Sequence, residues 1–127
     1  MKSRLSSLRK ARNLRDVREW LGLSLSQLAR EIPKTRGDRS AHMSRAFVCM
    51  VQRGERGLLP EQMRAITNLV LADLRDGLKR DGLTVTISHH SPWRVRVMVP
   101  CVVCGRQFEL QRVTAKRCPR CVARQRR

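Results

Sequence analysis

Apolar side chains recur at every third or fourth position through the first 80 residues of this 127-residue chain. That spacing is typical of amphipathic helices, and it predicts four of them, over residues 14–21, 24–32, 44–53 and 60–79. Asn13, Ser24 and Ser44 suit N-cap positions. Pro60 suits a first helical position, because its missing N–H would have no partner there. Residues 3–12 predict either a short helix or a disordered arm.

The segment between the second and third predicted helices is polar and basic. Pro33 is expected to end the second helix, because proline lacks the N–H that a helix interior needs. Residues 33–43 are therefore predicted to form a loop. An earlier start of the third helix, at Ser40, is the alternative.

The period of the pattern changes to two after Gly82. Residues 84–88 and 94–99 alternate between polar and apolar types, and the short segment between them contains Pro92. Two alternating runs joined by a turn predict a β-hairpin.

Two CxxC pairs lie near the end of the chain, Cys101 with Cys104 and Cys118 with Cys121, separated by thirteen residues. Each pair offers two sulfurs from one tight turn, and the spacer is long enough to bring the second turn back onto the first. Four thiolates can then surround one Zn²⁺ and leave no open position for water, which predicts one structural zinc ion per chain. The alternative is a pair of redox motifs, but a thioredoxin-like site needs a βαβ context that the pattern lacks.

The same segment resembles zinc ribbons. It has a CxxCG turn that ends at Gly105, an aromatic side chain at Phe108, and an RCPRC turn around the second pair. The resemblance implies a fold and a metal, but it leaves the partner open, because zinc ribbons bind DNA, RNA or other proteins.

The chain carries 28 Lys and Arg against 10 Asp and Glu, a formal net charge of +18. Such an excess repels itself unless a polyanion offsets it, so nucleic acid is the expected partner. Residues 1–48 hold 12 basic and 4 acidic side chains, residues 49–81 hold 6 and 5, and residues 82–127 hold 10 and 1. No apolar run approaches the ~20 residues of a membrane span, and no signal-peptide core is apparent. A cytoplasmic, nucleoid-associated protein with reduced thiols and no membrane partner is expected.

Three segments of the helical part carry a known pattern: LRDVR followed by GLS within residues 14–24, QLA at residues 27–29, and VCMVQRGER at residues 48–56 with Pro60 beyond. Together they resemble the helix-turn-helix of the phage-repressor and Cro type, also called the xenobiotic-response-element family. Any bundle of five helices would show some of these spacings, and the last segment is the most specific. Two features depart from the family pattern: the long segment 33–43, and Leu25, where many relatives have a polar side chain.

The resemblance implies that the helix beginning near Ser44 enters the major groove of DNA. By position it implies base contacts from Arg45, Ala46, Phe47 and Met50. Phosphate contacts are expected from polar and basic side chains around that helix: Ser24, Gln27, Lys34, Arg36, Arg39, Ser44, Arg53 and Arg56. Arginine can bond guanine bidentately, whereas alanine and methionine offer apolar contact, for example to a thymine methyl group.

The remaining candidate side chains have plainer interpretations. Surface or packing roles are expected for the histidines, the fifth cysteine and the tryptophans: His89, His90, Cys49, Trp20 and Trp93. Arg94 and Arg96 share one face of a strand, which suits a solvated surface and a phosphate track equally well. The acidic residues are scattered and form no catalytic constellation, so neither enzyme activity nor a small-molecule substrate is expected.

We therefore predict a mainly α protein with a small β part, in which a helix-turn-helix bundle is followed by a β-hairpin and a zinc ribbon. The expected segments are a basic N-terminal arm or helix at 1–13, a helix-turn-helix DNA-binding domain at 14–80, the hairpin at 81–99, the zinc ribbon at 100–122 and a basic tail at 123–127.

The predicted function is that of a sequence-specific regulator of transcription that binds double-stranded DNA, of bacterial, phage or plasmid type, acting as repressor or activator. A homodimer is expected, joined through the helix at 60–80 or the hairpin. The apolar stripe of that helix suits a core or a dimer interface: Met63, Ile66, Val70 and Leu74. The main alternative is a factor that binds RNA polymerase or RNA through the zinc ribbon. A third is an accessory subunit with non-specific affinity for DNA.

Overall fold

The computed structural model describes residues 4–36, 44–80, 82–88 and 93–125. In these ranges it contains helices and one antiparallel sheet, so the prediction of a mainly α fold with a small β part is confirmed. The helices are α1 (Arg4–Arg9), α2 (Leu14–Leu21), α3 (Leu25–Arg36), α4 (Arg45–Gln52), α5 (Pro60–Leu78) and α6 (Pro119–Gln125). The strands are β1 (Thr84–Ser88), β2 (Arg94–Pro100) and β3 (Gln107–Glu109), in that order across the sheet.

Short polar side chains fix where the helices begin. The Asn13 side chain accepts a 2.9 Å hydrogen bond from the backbone N–H of Asp16 and caps α2. The Ser44 hydroxyl oxygen accepts one of 3.1 Å from the N–H of Phe47 and caps α4. Because the backbone at Ser44 is extended, α4 begins at Arg45, and the alternative start at Ser40 is wrong.

The N-terminal segment is a helix held in the core rather than an arm. Leu5 and Leu8 are buried. The Arg4 guanidinium lies 4.3 Å from the centre of the Trp20 ring and donates a 2.8 Å hydrogen bond to the carboxylate of Asp73. These contacts attach α1 to both α2 and α5.

The second predicted helix does not end at Pro33, and that prediction is wrong. Helix α3 continues to Arg36, so residues 33–36 are helical rather than part of a loop. Proline's fixed φ is compatible with a helix, and its cost is one lost hydrogen bond and crowding against the preceding turn. Here α3 packs against both α4 and α5 and buries Leu28 and Ala29, which offsets that cost. Residues 37–43, the rest of the predicted loop, lie outside the described residues.

Helix α5 is the longest described element, and the sheet packs against it through β1. Its Ile66, Val70 and Leu74 are fully or almost fully buried within a single chain, so this stripe belongs to the core. Strand β1 packs on α5, and the inward faces of β1 and β2 are apolar, with Ile87 opposite Val95. No helix in the described part of the chain is both long and apolar enough to cross a membrane.

The short strand β3, which the sequence pattern did not indicate, joins the cysteine segment to the hairpin. It pairs with β2 and sets Phe108 opposite Val99. The buried side chains form one cluster that extends from Leu5 in α1 to Cys121 in α6. The helices, the sheet and the cysteine turns therefore share a continuous core.

Candidate metal centre and nucleic-acid interface

The four cysteines of the two CxxC pairs converge at one point. The sulfur atoms of Cys101, Cys104, Cys118 and Cys121 all lie within 4.8 Å of one another, and those of Cys104 and Cys118 are 3.6 Å apart. A tetrahedral ion with metal–sulfur bonds of about 2.3 Å requires sulfurs about 3.8 Å apart. The group is therefore positioned to hold a metal ion, as the spacing predicted.

The first cysteine turn follows directly from strand β2. The N–H of Gly105 donates a 2.9 Å hydrogen bond to the carbonyl of Cys101, and Gly105 has φ of 74°. A residue with a side chain is disfavoured at that φ, which explains the glycine after the second cysteine. The N–H of Cys101 then bonds the carbonyl of Arg106 at 2.8 Å, which returns the chain towards β3.

The second cysteine turn is the start of helix α6. Pro119 is its first residue, a position that suits proline. The N–H of Val122 donates to the carbonyl of Cys118 at 3.1 Å, so Cys121 lies in the first helical turn. The two turns are joined by a 3.0 Å hydrogen bond from the N–H of Val102 to the carbonyl of Lys116.

Backbone N–H groups that point at two of the sulfurs favour the thiolate forms of Cys101 and Cys118. The N–H groups of Cys104, Cys118 and Val103 lower the pKa of Cys101 to about 6, although burial opposes the shift. Cys118 also has a lowered pKa, chiefly through the backbone N–H of Cys121. The pKa of Cys121 is raised to about 12, first by its hydrogen bond with the Cys118 side chain and then by burial. Four sulfurs this close repel one another as anions unless a cation is present.

The helix expected to read DNA has one exposed and one packed side. Arg45 and Ala46 are exposed in its first turn, whereas Phe47 and Met50 are half-buried. Val48 is fully buried, and α4 packs against α3 and α2. Of the four predicted base-contacting residues, Arg45 and Ala46 are thus the most accessible.

Three of the predicted phosphate-contacting residues also cap helices. Ser24 and Gln27 form a reciprocal pair: the Gln27 side-chain oxygen accepts from the N–H of Ser24 at 2.8 Å, and the Ser24 hydroxyl oxygen accepts from the N–H of Gln27 at 3.2 Å. The Ser44 hydroxyl oxygen accepts from the N–H of Phe47 and caps α4 without a reciprocal bond. Because these bonds use the side-chain oxygens as acceptors, each hydroxyl and the Gln27 amide keeps an N–H or O–H donor for an anion.

Of the other predicted phosphate contacts, only Arg53 and Arg56 have side chains within the described part of the structure. Arg53 and Arg56 are exposed in the turn after α4. Lys34 and Arg36 belong to the last turn of α3, but their side chains lie outside the described part, as does Arg39 altogether. His89 and His90 are also outside the described residues.

Arg18 is an important contact that the sequence analysis did not single out. Its Nε donates a 2.8 Å hydrogen bond to the side-chain oxygen of Gln52, at the end of α4, and Nη1 donates one of 2.7 Å to the carbonyl of Leu23. Arg18 thereby fixes α4 to α2 and to the turn before α3. No local signal could have found it, because Arg18 and Gln52 are 34 positions apart.

The plainer interpretations of the other candidates agree with the structure where it describes them. Trp20 is half-buried, with its ring N–H donating to the carbonyl of Arg4 at 2.8 Å, and Trp93 is buried. Cys49 is half-buried in α4 and takes no part in the four-cysteine group. Trp93 is therefore too buried for a base-stacking platform, and the Arg4 guanidinium lies over one face of the Trp20 ring.

Comparisons with protein-family models, with curated proteins and with solved structures found no match for this chain. Fold and site therefore define the molecule: a mainly α chain with a small antiparallel sheet and a four-cysteine group able to hold a metal ion.

Proposed function

We propose that this chain is a sequence-specific regulator of transcription that binds double-stranded DNA through α4, in the manner of phage, plasmid and bacterial helix-turn-helix proteins. The observation that carries the proposal is the position of Arg45 and Ala46. Both are exposed on the N-terminal turn of a short helix, and helix-turn-helix proteins present that turn to base edges.

The opposite side of α4 supports this proposal because it is held rigidly. Val48 is fully buried, and the Arg18–Gln52 hydrogen bond of 2.8 Å fixes the end of the helix. A recognition helix must keep its side chains in register with base pairs, so a firm attachment to the scaffold favours readout.

Net charge supports nucleic acid as the partner. The excess of 18 positive charges supplies the sequence-independent part of binding by releasing counterions from phosphates. The exposed Arg53 and Arg56, just beyond α4, suit phosphate contacts that orient the helix.

We further propose that the metal is a structural Zn²⁺. Thiolate ligands select soft or borderline metals, and a site with four cysteines has no position left for a substrate or water. When bound, the ion would neutralise the clustered sulfurs of Cys101, Cys104, Cys118 and Cys121. Zinc binding in small zinc-finger peptides contributes about 10–16 kcal/mol, which acts as folding free energy.

A homodimer belongs to the same proposal, because proteins of this type bind inverted repeats as pairs. Ile66, Val70 and Leu74 of the α5 stripe are buried within one chain, so these three side chains are not free for a dimer contact. Val102 and Val103, which are 66% and 63% exposed in the first cysteine turn, supply apolar surface there. The same two valines favour the second candidate function, a contact with RNA polymerase through the cysteine segment.

Selection of binding sites from a pool of random duplexes tests the proposed function directly. The expected result is an enriched sequence with two-fold symmetry, whose half-sites are read by α4. If no sequence is enriched and RNA polymerase instead binds the purified protein, the second candidate function replaces the first.

A further inference from the structure

A basic cleft lies away from α4, where the chain leaving α1 meets strand β2. Its volume is about 690 Å³. Five cationic side chains and one carboxylate line it: Arg9, Lys10, Arg12, Arg94, Arg96 and Glu109. Three apolar residues also line the cleft, and all three are buried: Ala11, Trp93 and Val95.

Two local features of the backbone expose these cations on the same side: the turn after α1 and the alternation of strand β2. After α1 the chain makes a tight turn, with a 3.0 Å hydrogen bond from the N–H of Ala11 to the carbonyl of Leu8, and Ala11 is buried while its neighbours are exposed. In β2 the strand alternation buries Val95 and directs Arg94 and Arg96 outward.

The five cations of the cleft outnumber its one carboxylate, and none of them forms an ion pair with a described residue. Arg4 pairs with Asp73 and Arg15 with Glu19, and neither pair involves a cation of the cleft. Glu109 lines the cleft without forming an ion pair with a described residue. Cations concentrated in a concavity raise the local potential and attract anions.

A second, smaller cleft connects this site to the end of α4. Its volume is about 350 Å³, and it shares Arg12 and Trp93 with the first. It continues to the end of α4 and the turn beyond it, where Gln52, Glu55 and Arg56 line it. A path bordered by six cationic side chains and two carboxylates, Glu55 and Glu109, therefore leads from α4 to the outer face of the sheet.

We propose that this path, from Arg56 past Arg12 to Arg94 and Arg96, binds the phosphodiester backbone of the duplex whose bases α4 reads. The inference rests on the proposed function and deepens it, because it makes the β-sheet a part of the DNA-binding surface. Arginine forks suit phosphate oxygens. Single-stranded nucleic acid is less suited, since Trp93 is only 9% exposed and offers no platform for stacking bases.

The test replaces both strand arginines by threonine, Arg94→Thr with Arg96→Thr, because threonine favours strands and already lies opposite Arg96 at Thr86. Affinity for the selected duplex and for a random duplex is measured from about 50 to 200 mM salt, the range over which phosphate contacts dominate. Both affinities are expected to fall by the same factor, and the slope of log affinity against log salt to decrease by about two.

A matched control removes the same charge elsewhere, with Arg64→Gln and Arg75→Gln on the exposed side of α5, outside both clefts. This pair is expected to leave the slope nearly unchanged.

A complementary variant, Glu109→Gln, removes the carboxylate of the first cleft and is expected to raise the affinity for both duplexes. Circular dichroism checks that each variant is folded, and Arg94→Lys with Arg96→Lys is expected to restore the slope.

Four results would overturn the proposed path. Equal slopes for the strand pair and the α5 pair would mean that charge alone matters. A larger loss on the selected duplex than on the random one would mean that Arg94 and Arg96 read bases. Tighter binding of a single-stranded RNA of equal length would mean that the ligand is RNA. If the strand variants leave binding unchanged while Arg45→Ala still relaxes specificity at one base pair, the path is wrong and the proposed function stands.

Discussion

The backbone N–H of Trp93 donates a 3.1 Å hydrogen bond to the carbonyl oxygen of Arg12. This bond joins the residue before β2 to the segment between α1 and α2. The bond lies where the two clefts meet, because both residues line each of them. The sheet is thereby attached to the helical bundle at the point where a phosphate backbone would cross from one to the other.

This attachment has consequences for folding as well as for binding. Helices, sheet and cysteine turns share one cluster of buried side chains. Elements that share a core unfold together in small proteins. Loss of the metal is therefore expected to weaken the helices too, although they lie far from the cysteines in sequence.

Removal of the metal tests this coupling. The purified protein is expected to contain one zinc ion per chain, and a strong chelator to lower the unfolding temperature by about 10 °C or more, which corresponds to at least ~3 kcal/mol. Ellipticity at 222 nm, which reports mainly on the helices, should show one transition rather than two. A helical signal that is unchanged by chelation would contradict both the structural metal and the shared core.

Cysteine variants separate metal loss from lost packing. Cys104 is exposed, so Cys104→Ser removes a ligand with little change in buried apolar surface. It is expected to reproduce the effect of the chelator. Cys49→Ala is the control, because Cys49 lies outside the four-cysteine group, and it should retain the full metal content measured by atomic absorption.

Arg45→Ala tests base readout by α4. Loss of a bidentate contact to guanine is expected to reduce affinity for the selected site by about 1–3 kcal/mol and to relax specificity at one base pair. Affinity for random duplexes should change much less. Arg75→Ala, which removes the same charge from an exposed position of α5, serves as the control. Equal losses on selected and random duplexes would exclude Arg45 from base recognition.

Local signals predicted much of the secondary structure. Asn13 and Ser44 cap helices because each bonds an N–H only three positions ahead. The four-cysteine group was predictable for a similar reason, since two tight turns fix the sulfurs in pairs and the spacer sets how they meet. These features depend on residues close together in the chain.

Other features depended on contacts between distant residues and could not be predicted. The sequence around Pro33 favours a helix end, whereas α3 continues to Arg36 and packs against α4 and α5. Strand β3 has three residues, too few for an alternating pattern, and it forms because β2 offers an edge. The basic clefts arise in the same way, from segments about eighty residues apart in sequence that meet through the bond between Trp93 and Arg12.

Gly82 provides a stability test of the connection between α5 and the cysteine turns. It has φ of 79°, and a β-carbon there would lie 3.2 Å from Cδ of Pro100. Gly82→Ala is expected to lower the free energy of unfolding by about 1–3 kcal/mol, because of the disfavoured φ and this close contact. Urea denaturation with and without chelator measures it.

Gly77→Ala is the matched control for that substitution. Gly77 lies near the end of α5, where a β-carbon would meet no atom within 4 Å. Alanine is the better helix former, so this variant is expected to be stabilised by up to about 1 kcal/mol. Destabilisation of both variants to the same extent would show that the turn at Gly82 makes no special demand.

Arg18 tests how firmly α4 is held. Its two hydrogen bonds, to Gln52 and to the carbonyl of Leu23, are partly shielded from water, and bonds from a charged donor in such a setting contribute about 1.5–3 kcal/mol. Arg18→Ala is expected to destabilise the protein by about that amount and to weaken the selected site more than random duplex, because α4 loses its fixed orientation. Chemical denaturation and competition binding measure the two effects.

A neighbouring arginine on the same helix supplies the control. Arg15 forms a 3.0 Å ion pair with Glu19, but both side chains are more than half exposed, and such pairs contribute only about 0.3–0.5 kcal/mol. Arg15→Ala should therefore be nearly neutral in stability and leave sequence preference intact. A double-mutant cycle between Arg18→Ala and Gln52→Ala then isolates their bond. If the two losses are simply additive, Arg18 does not orient α4, and the rigidity that supports base readout has to come from Val48 and the packing of α3.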